Sequence, residues 1–194
     1  MPRYELIVVG TSWGGLEALS RILDELPPEL DLPIAIAQHR GADTVRGGLE
    51  HLLQRHVVRP VCEAEDKQPI ERSKIYVAPP DYHLLVEPGS FHLSVDERVS
   101  YSRPSVDVLF ETAADAYGAG VIGVVLTGAN EDGAAGIAAI VSRGGVAIVQ
   151  DPETAVRRAM PDAAIEAADV TVLALEQIPH AIADLCGVER AAAT

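Results

Sequence analysis

Glu5-Leu6-Ile7-Val8-Val9-Gly10-Thr11-Ser12-Trp13-Gly14-Gly15-Leu16 is an apolar run that ends in a Gly-rich turn with one serine at its apex. An unbroken apolar run bounded by glycine predicts a buried strand of a parallel sheet. The glycines permit a tight turn and close backbone approach. From Leu16 to Leu26 the apolar residues Leu16, Leu19, Ile22, Leu23 and Leu26 recur at helical spacing, and Pro27-Pro28 stops the helix. The stretch is a strand, a turn and a helix. It puts Ser12 at the carboxyl end of a strand, where open α/β sheets bind ligands. Two chemistries fit such a turn equally. Gly10-Thr11-Ser12-Trp13-Gly14 has the G-x-S-x-G pattern of a nucleophilic serine. The same turn can instead cradle an anion with backbone N–H groups. The dinucleotide fingerprint and the Walker pattern are both absent, because Ser12 holds the second Gly position and Leu16 follows Gly15.

The remaining chain extends this pattern. Pro33 to Gln38 predicts a second strand, with His39 just past its end and so on the same rim as Ser12 if the strands are parallel. Asp43-Thr44 reads as the cap of a helix reaching His56, with Val45, Leu49, Leu52 and Leu53 inward. Short strands are expected over 57–64 and 73–78. His83–Glu87 and Phe91–Val95 flank Pro88-Gly89-Ser90 and predict a β-hairpin, an antiparallel addition to the sheet with His83 and His92 facing solvent. Pro104 opens a helix that runs to Tyr117-Gly118, with Asp107 in its first turn favouring the helix dipole. Residues 119–126 predict a strand that ends in a second Gly-rich turn, Thr127 to Gly136, and a helix follows. Asp132 lies at that helix start, where it can cap the helix, orient a histidine, or do both. A strand over 146–150, a helical region over 151–168 interrupted by Pro161, a strand over 171–173 and a helix over 176–185 complete the chain. Residues 189–194 read as a frayed tail.

Composition bounds the function. The chain of 194 residues can build one sizeable core, and 48% hydrophobic content is that of a folded domain. A net charge of −14 with no basic patch (Arg157-Arg158 is only a pair) argues against nucleic acid as a partner. Cys62 and Cys186 stand far apart without a C-x-x-C, so they read as free thiols rather than a disulfide or a zinc site. The lone pair His83 and His92 lacks a third metal ligand. No apolar run approaches a membrane span and no signal peptide is visible, so a soluble cytoplasmic protein is expected. No repeats and no interdomain linker stand out. The whole chain, 1–194, is expected to form a single domain with an ordered core over about residues 4–186.

Ser12, His39 and Asp132 are the residue types of a hydrolase triad, each at a strand end or helix start. The order Ser, His, Asp differs from the Ser, Asp, His order of the α/β-hydrolases. Gly10-Thr11-Ser12-Trp13-Gly14-Gly15, Gln38-His39, Ile75-Tyr76-Val77-Ala78-Pro79, Arg103-Pro104-Ser105-Val106-Asp107-Val108-Leu109-Phe110, Leu126-Thr127-Gly128 and Asp132-Gly133-Ala134-Ala135-Gly136 together resemble the catalytic domain of the CheB-type chemotaxis protein-glutamate methylesterases. The resemblance implies a doubly wound, mainly parallel α/β domain with an antiparallel hairpin. It implies hydrolysis of glutamyl γ-methyl esters on the cytoplasmic helices of methyl-accepting chemotaxis receptors, and deamidation of receptor glutamines. By position, Ser12 is the expected nucleophile, His39 the general base and acid, and Asp132 the orienting acid. The backbone N–H groups of Trp13 and Ala129 are the expected oxyanion donors. No metal and no organic cofactor is required. Activity is expected to fall in acid as the imidazole base protonates.

The chain also departs from the family pattern. Ala129 and Asn130 follow Thr-Gly where a Met and a Gly are usual, and Glu131 adds a charge beside Asp132. Trp13 replaces a small polar residue, and it can narrow the mouth, stack on a substrate helix or serve packing. The N-terminal receiver domain common in the family has no counterpart ahead of the first strand, which leaves a standalone enzyme, control in trans by a response-regulator partner, or a fragment. Against a charge of −14, Arg40, Arg46 and Arg103 are the expected basic contacts for an acidic receptor helix. Two further readings stay open: a serine esterase or amidase of the same fold acting on another protein or a small ester, and a non-enzymatic anion-binding module.

Overall fold

A computed structural model describes residues 4–41 and 47–188. The expected cap at Asp43-Thr44, the inward Val45, the basic contact Arg46 and the tail 189–194 lie outside the described residues. The elements in chain order are β1 (Leu6–Thr11), α1 (Gly15–Glu25), β2 (Ile34–Gln38), α2 (Gly48–Leu53), β3 (Val61–Glu63), β4 (Ile75–Val77), β5 (His83–Glu87) and β6 (Ser90–Ser94). They continue as α3 (Val106–Tyr117), β7 (Val121–Val125), α4 (Ala134–Ser142), β8 (Val146–Gln150), α5 (Ala159–Ala167), β9 (Thr171–Leu173) and α6 (Ile178–Cys186).

Seven strands form one sheet in the order β3-β4-β2-β1-β7-β8-β9, and every pairing is parallel. Strand alternation sorts the apolar side chains onto two faces. Ile7, Val9, Ile34, Ile36, Ile122 and Val124 enter the core under α1, α2 and α6. Leu6, Val8, Ala35, Ala37, Val121 and Val125 enter the core shared with α3, α4 and α5. A sheet covered on both faces explains why β1 and β7 read as unbroken apolar runs, with each fully buried Val, Leu or Ile side chain contributing about 1.5–3 kcal/mol. The chain runs from β1 to β2, out to the edge at β3, back to β4 between β3 and β2, and then to the other side of β1 at β7. The carboxyl ends of β1, β2 and β7 therefore converge at the switch of winding direction, where such sheets place their ligands.

Several expectations need correction. The hairpin β5-β6 forms its own two-stranded sheet rather than extending the main one. Its apolar face, Leu84, Val86 and Phe91, packs with the α3 side chains Leu109 and Phe110 in one core. Within it His83 is 1% exposed and not on the solvent side. Its Nε2 donates to Glu97 O at 3.0 Å and its Nδ1 accepts from Ser105 N at 3.3 Å. His92 stays partly exposed, near Glu87 and Asp66. Pro161 does not interrupt a helix, since α5 begins at Ala159 and a proline in the first turn forfeits no intrahelical bond.

Candidate active site

The turn after β1 is stitched to the turn after β7. Leu126 N donates to Gly10 O at 2.9 Å, Ser12 N to Thr127 O at 2.9 Å, and Thr11 Oγ1 to Thr127 O at 2.8 Å. On the other side His39 N donates to Thr11 O at 3.0 Å, and the buried Gln38 sends Nε2 to Ser12 O at 2.8 Å. The sheet ladder thus continues past the strand ends and fixes the main chain of Ser12 from both neighbours. Two glycines make this approach possible. A Cβ on Gly15 would stand 2.1 Å from Gln38 Oε1 and 2.5 Å from Thr11 Oγ1. A Cβ on Gly128 would stand 1.8 Å from Met160 Sδ and 3.0 Å from Ser12 Cβ.

His39 and Asp132, 93 positions apart, meet at 2.6 Å between Nε2 and Oδ2. The carboxylate of Asp132 is fully enclosed and its acceptors are filled. Oδ1 receives Ser105 Oγ at 2.9 Å and Asp107 N at 3.0 Å, while Oδ2 also receives Val106 N at 2.8 Å. Burial alone would push this carboxyl up; the bonds from His39, Asp107 N and Val106 N outweigh it and hold it below the usual carboxylate range. Asp132 is a helix cap, but of α3 and not of the helix that follows it. Gly133 occupies the cap position of α4, and no side chain bonds the N-terminal amides there from that position.

Asp107 completes a reciprocal exchange. From the first turn of α3 it accepts Gly133 N at 2.9 Å and Gly136 N at 2.7 Å, the start of α4. Each aspartate therefore sits at the other helix's N-terminus, where a carboxylate is favoured. Burial raises Asp107 to about 6; its two amide donors oppose that rise and the charge of Asp132 adds to it. The sequence assigned Asp107 only its own helix dipole, and gave Ser105, Ser102, Gln38 and His83 no role at the site. Ser105 N-caps α3 by accepting Val108 N at 3.3 Å and donates to Asp132, so His83, Ser105, Asp132 and His39 form one chain.

With Nε2 donating to a carboxylate, Nδ1 of His39 is the ring nitrogen left as acceptor. It faces Ser102 Oγ at 3.3 Å. Among the described residues Ser12 Oγ makes no hydrogen bond, and the N–H groups of Trp13 and Ala129 have no acceptor. Gly128 N, by contrast, is spent on Arg157 O at 3.0 Å. The structure thus gathers Ser12, His39, Asp132, Trp13 and Ala129 about the joined turns. It does not present the expected basic contacts as an open rim. The Arg40 side chain is 7% exposed, turned to Ala78 O and toward Glu63 at 4.0 Å. Arg103 is engaged by Asp81, Val95 O and Asp96 O.

A spare hydroxyl, a carboxylate-oriented imidazole and unused amides at the switch point of a doubly wound sheet suit acyl transfer, the chemistry of the serine hydrolase class. Residues 7–182 match the CheB methylesterase family model, and the chain belongs to that family. It is 50% identical over 177 residues to a protein of Leptospira interrogans, spanning 90% of this chain and 91% of that one. It is 36% identical over 190 residues to the protein-glutamate methylesterase FrzG of Myxococcus xanthus, covering 95% of this chain and 57% of FrzG. The fold superposes on the crystal structure of the Thermotoga maritima CheB methylesterase catalytic domain with a TM-score of 0.87 at 33% identity, covering 95% of this chain and all of that one.

Proposed function

We propose that this protein is a serine protein-glutamate methylesterase that hydrolyses glutamyl γ-methyl esters on the cytoplasmic helices of chemoreceptors and deamidates glutamines there. The observation that supports this most is the buried His39–Asp132 pair on the same rim as the unbonded hydroxyl of Ser12. Ser12 Oγ attacks the ester carbonyl carbon while His39 Nδ1 takes its proton. Methanol leaves with that proton, and water repeats the cycle on the acyl-enzyme with His39 again as base. Asp132 keeps Nε2 protonated and stabilises the imidazolium. The amides of Trp13 and Ala129 receive the oxyanion. Ser102 holds Nδ1 in the unliganded site and yields it to Ser12 when an ester seats. The reaction uses no metal or organic cofactor. Among the described residues no helix is long and apolar enough to cross a membrane, which accords with action in the cytoplasm on a receptor's soluble part.

Methanol release from a methylated chemoreceptor cytoplasmic fragment tests the assignment, with Ser12→Ala alongside. Release by the protein and its loss in Ser12→Ala, by at least about a thousandfold, is the expected result. Equal release from both proteins would remove Ser12 as nucleophile. Turnover of a small activated ester without any methanol from the receptor fragment would favour the esterase of other substrate.

A further inference from the structure

Trp13 follows the proposed nucleophile directly and is 63% exposed, so its ring does not serve the core. The Arg157 guanidinium lies over that ring, 5.7 Å from the centroid. An arginine on an indole face is held by a cation–π attraction without losing its charge or its donors. The Arg157 backbone is fixed to the turn after β7: its N donates no bond to solvent but to Thr127 Oγ1 at 2.9 Å, and its carbonyl receives Gly128 N at 3.0 Å. Thr127 Oγ1 in turn donates to Trp13 O at 2.9 Å. Arg157 is thereby tied to both turns that build the site. The neighbouring cations are spent: Arg40 faces Glu63, Arg103 pairs with Asp81, and Arg158 pairs with Glu153 and Asp162. Among the described residues Arg157 has no carboxylate partner.

We propose that Arg157, seated on Trp13, is a substrate-reading residue that binds a carboxylate on the polypeptide carrying the ester, about one helical turn from it. The inference rests on the esterase reading above and adds to it the chemistry of the flanking substrate residue. A methyl ester is neutral and its carbonyl oxygen is the group the oxyanion amides receive, so an ion pair at this mouth addresses a neighbouring side chain. In a chain of net charge −14, a guanidinium on the ring next to the nucleophile, with no carboxylate partner among the described residues, is a local positive charge. Residues three and four positions from a given one share its helix face, about 5.4 Å along the axis, so a carboxylate there is the nearest charged neighbour of the ester on a helical substrate. Trp13 supplies the apolar surface on which the substrate stem lies. Trp13 departs from the small polar residue usual after the nucleophile, and Arg157 lies outside the stretches that carry the resemblance.

The test compares two helical peptides, each with one glutamyl γ-methyl ester, that carry either Glu or Ala three and four residues to both sides. The wild-type protein should favour the Glu peptide in methanol release by about fivefold in kcat/KM, carried by KM, the size expected of an exposed ion pair. Arg157→Gln should bring that ratio to about one, Arg157→Lys should keep part of it, and high salt should compress it in the wild type alone. A ratio of one in the wild type, or a wild-type ratio kept by Arg157→Gln, overturns the proposal. A merely structural arginine would change both peptides alike and leave the ratio standing. The methylated receptor fragment separates the two levels: its turnover with no peptide preference sinks this inference alone, whereas no methanol from fragment or peptides sinks the esterase reading and this inference with it.

Discussion

The two Gly-rich turns of this protein have the same sequence plan, strand then glycines then helix, and opposite hydrogen-bond economies. After β1, Ser12 offers a hydroxyl with no partner among the described residues, and the next amide is unused. After β7, Asp132 accepts from His39, Ser105 Oγ, Val106 N and Asp107 N and is 1% exposed. The first turn leaves that hydroxyl and that amide unbonded, which under the proposed function is capacity for a substrate. The second spends its carboxylate internally and keeps only the Ala129 amide open, because a carboxylate that orients an imidazole must not itself move. The same residue plan becomes a reacting end or a supporting end according to what packs beside it.

Substitutions should divide along that line. Ser12→Ala should abolish ester hydrolysis yet leave the melting temperature near wild type, because the hydroxyl bonds to nothing in the fold. Asp132→Ala should lose both. Its activity should fall about 10³–10⁴-fold, and stability should drop by roughly 1–3 kcal/mol for each of the Val106 and Asp107 amides left buried without an acceptor. Paired kinetics and thermal melts read both effects; an Asp132→Ala protein as stable as Ser12→Ala would break the comparison.

Gly128→Ala tests the seam between the turns. With its new Cβ directed at Met160 Sδ and Ser12 Cβ, the 127–129 segment must shift away from the nucleophile. About 1–3 kcal/mol of stability should be lost, and kcat should fall more than KM changes, because the Ala129 amide moves with it. Denaturant melts and steady-state kinetics check this.

The smallest effect concerns the reciprocal aspartates. Asp107, raised to about 6, keeps its proton longer in the fold than in the unfolded chain, so its ionisation costs stability as pH rises from the ordinary carboxylate range to about 6. Asp132 is lowered and acts oppositely: its contribution is present above the ordinary carboxylate range and is lost as pH falls toward its folded value. Asp107→Asn keeps an acceptor for Gly133 N and Gly136 N without the charge. Its stability relative to wild type should therefore rise between about pH 4 and 6 and stay level above, by up to a few kcal/mol at one pKa unit per about 1.4 kcal/mol. Urea melts at pH 4.5 and 7.5 measure the difference; a gap that shrinks with rising pH would reverse the assignment.

Much of the fold was legible because its signals are local. The apolar runs of β1, β2, β7 and β8, the helical period from Leu16 and the Pro88-Gly89 turn each lie within a dozen residues. β3 and β4 proved shorter than their apolar stretches; β3 lies at the sheet edge with a single partner strand, and β4 is buried between β3 and β2. His83 was misplaced because period 2 says which side chains share a face, not which face a helix will cover. The hairpin put Leu84 and Val86 onto α3, and Glu97 O and Ser105 N bond the His83 ring on the opposite face.

The sequence by itself determined the two strand–turn–helix units that carry Ser12 and Asp132, the place of His39 just past the second strand, and the family resemblance that joins them and implies a doubly wound sheet. Only the tertiary structure decided which atoms meet. It gave His39 Nε2 to Asp132 and left Nδ1 to the hydroxyls, made Asp132 the cap of α3 rather than α4, and paired it with Asp107 across the two helix starts. It also turned Arg40 and Arg103 inward and left Arg157 on Trp13. These are contacts between residues tens of positions apart, fixed by the packing of α3 and α4 against the sheet, and no local period encodes them.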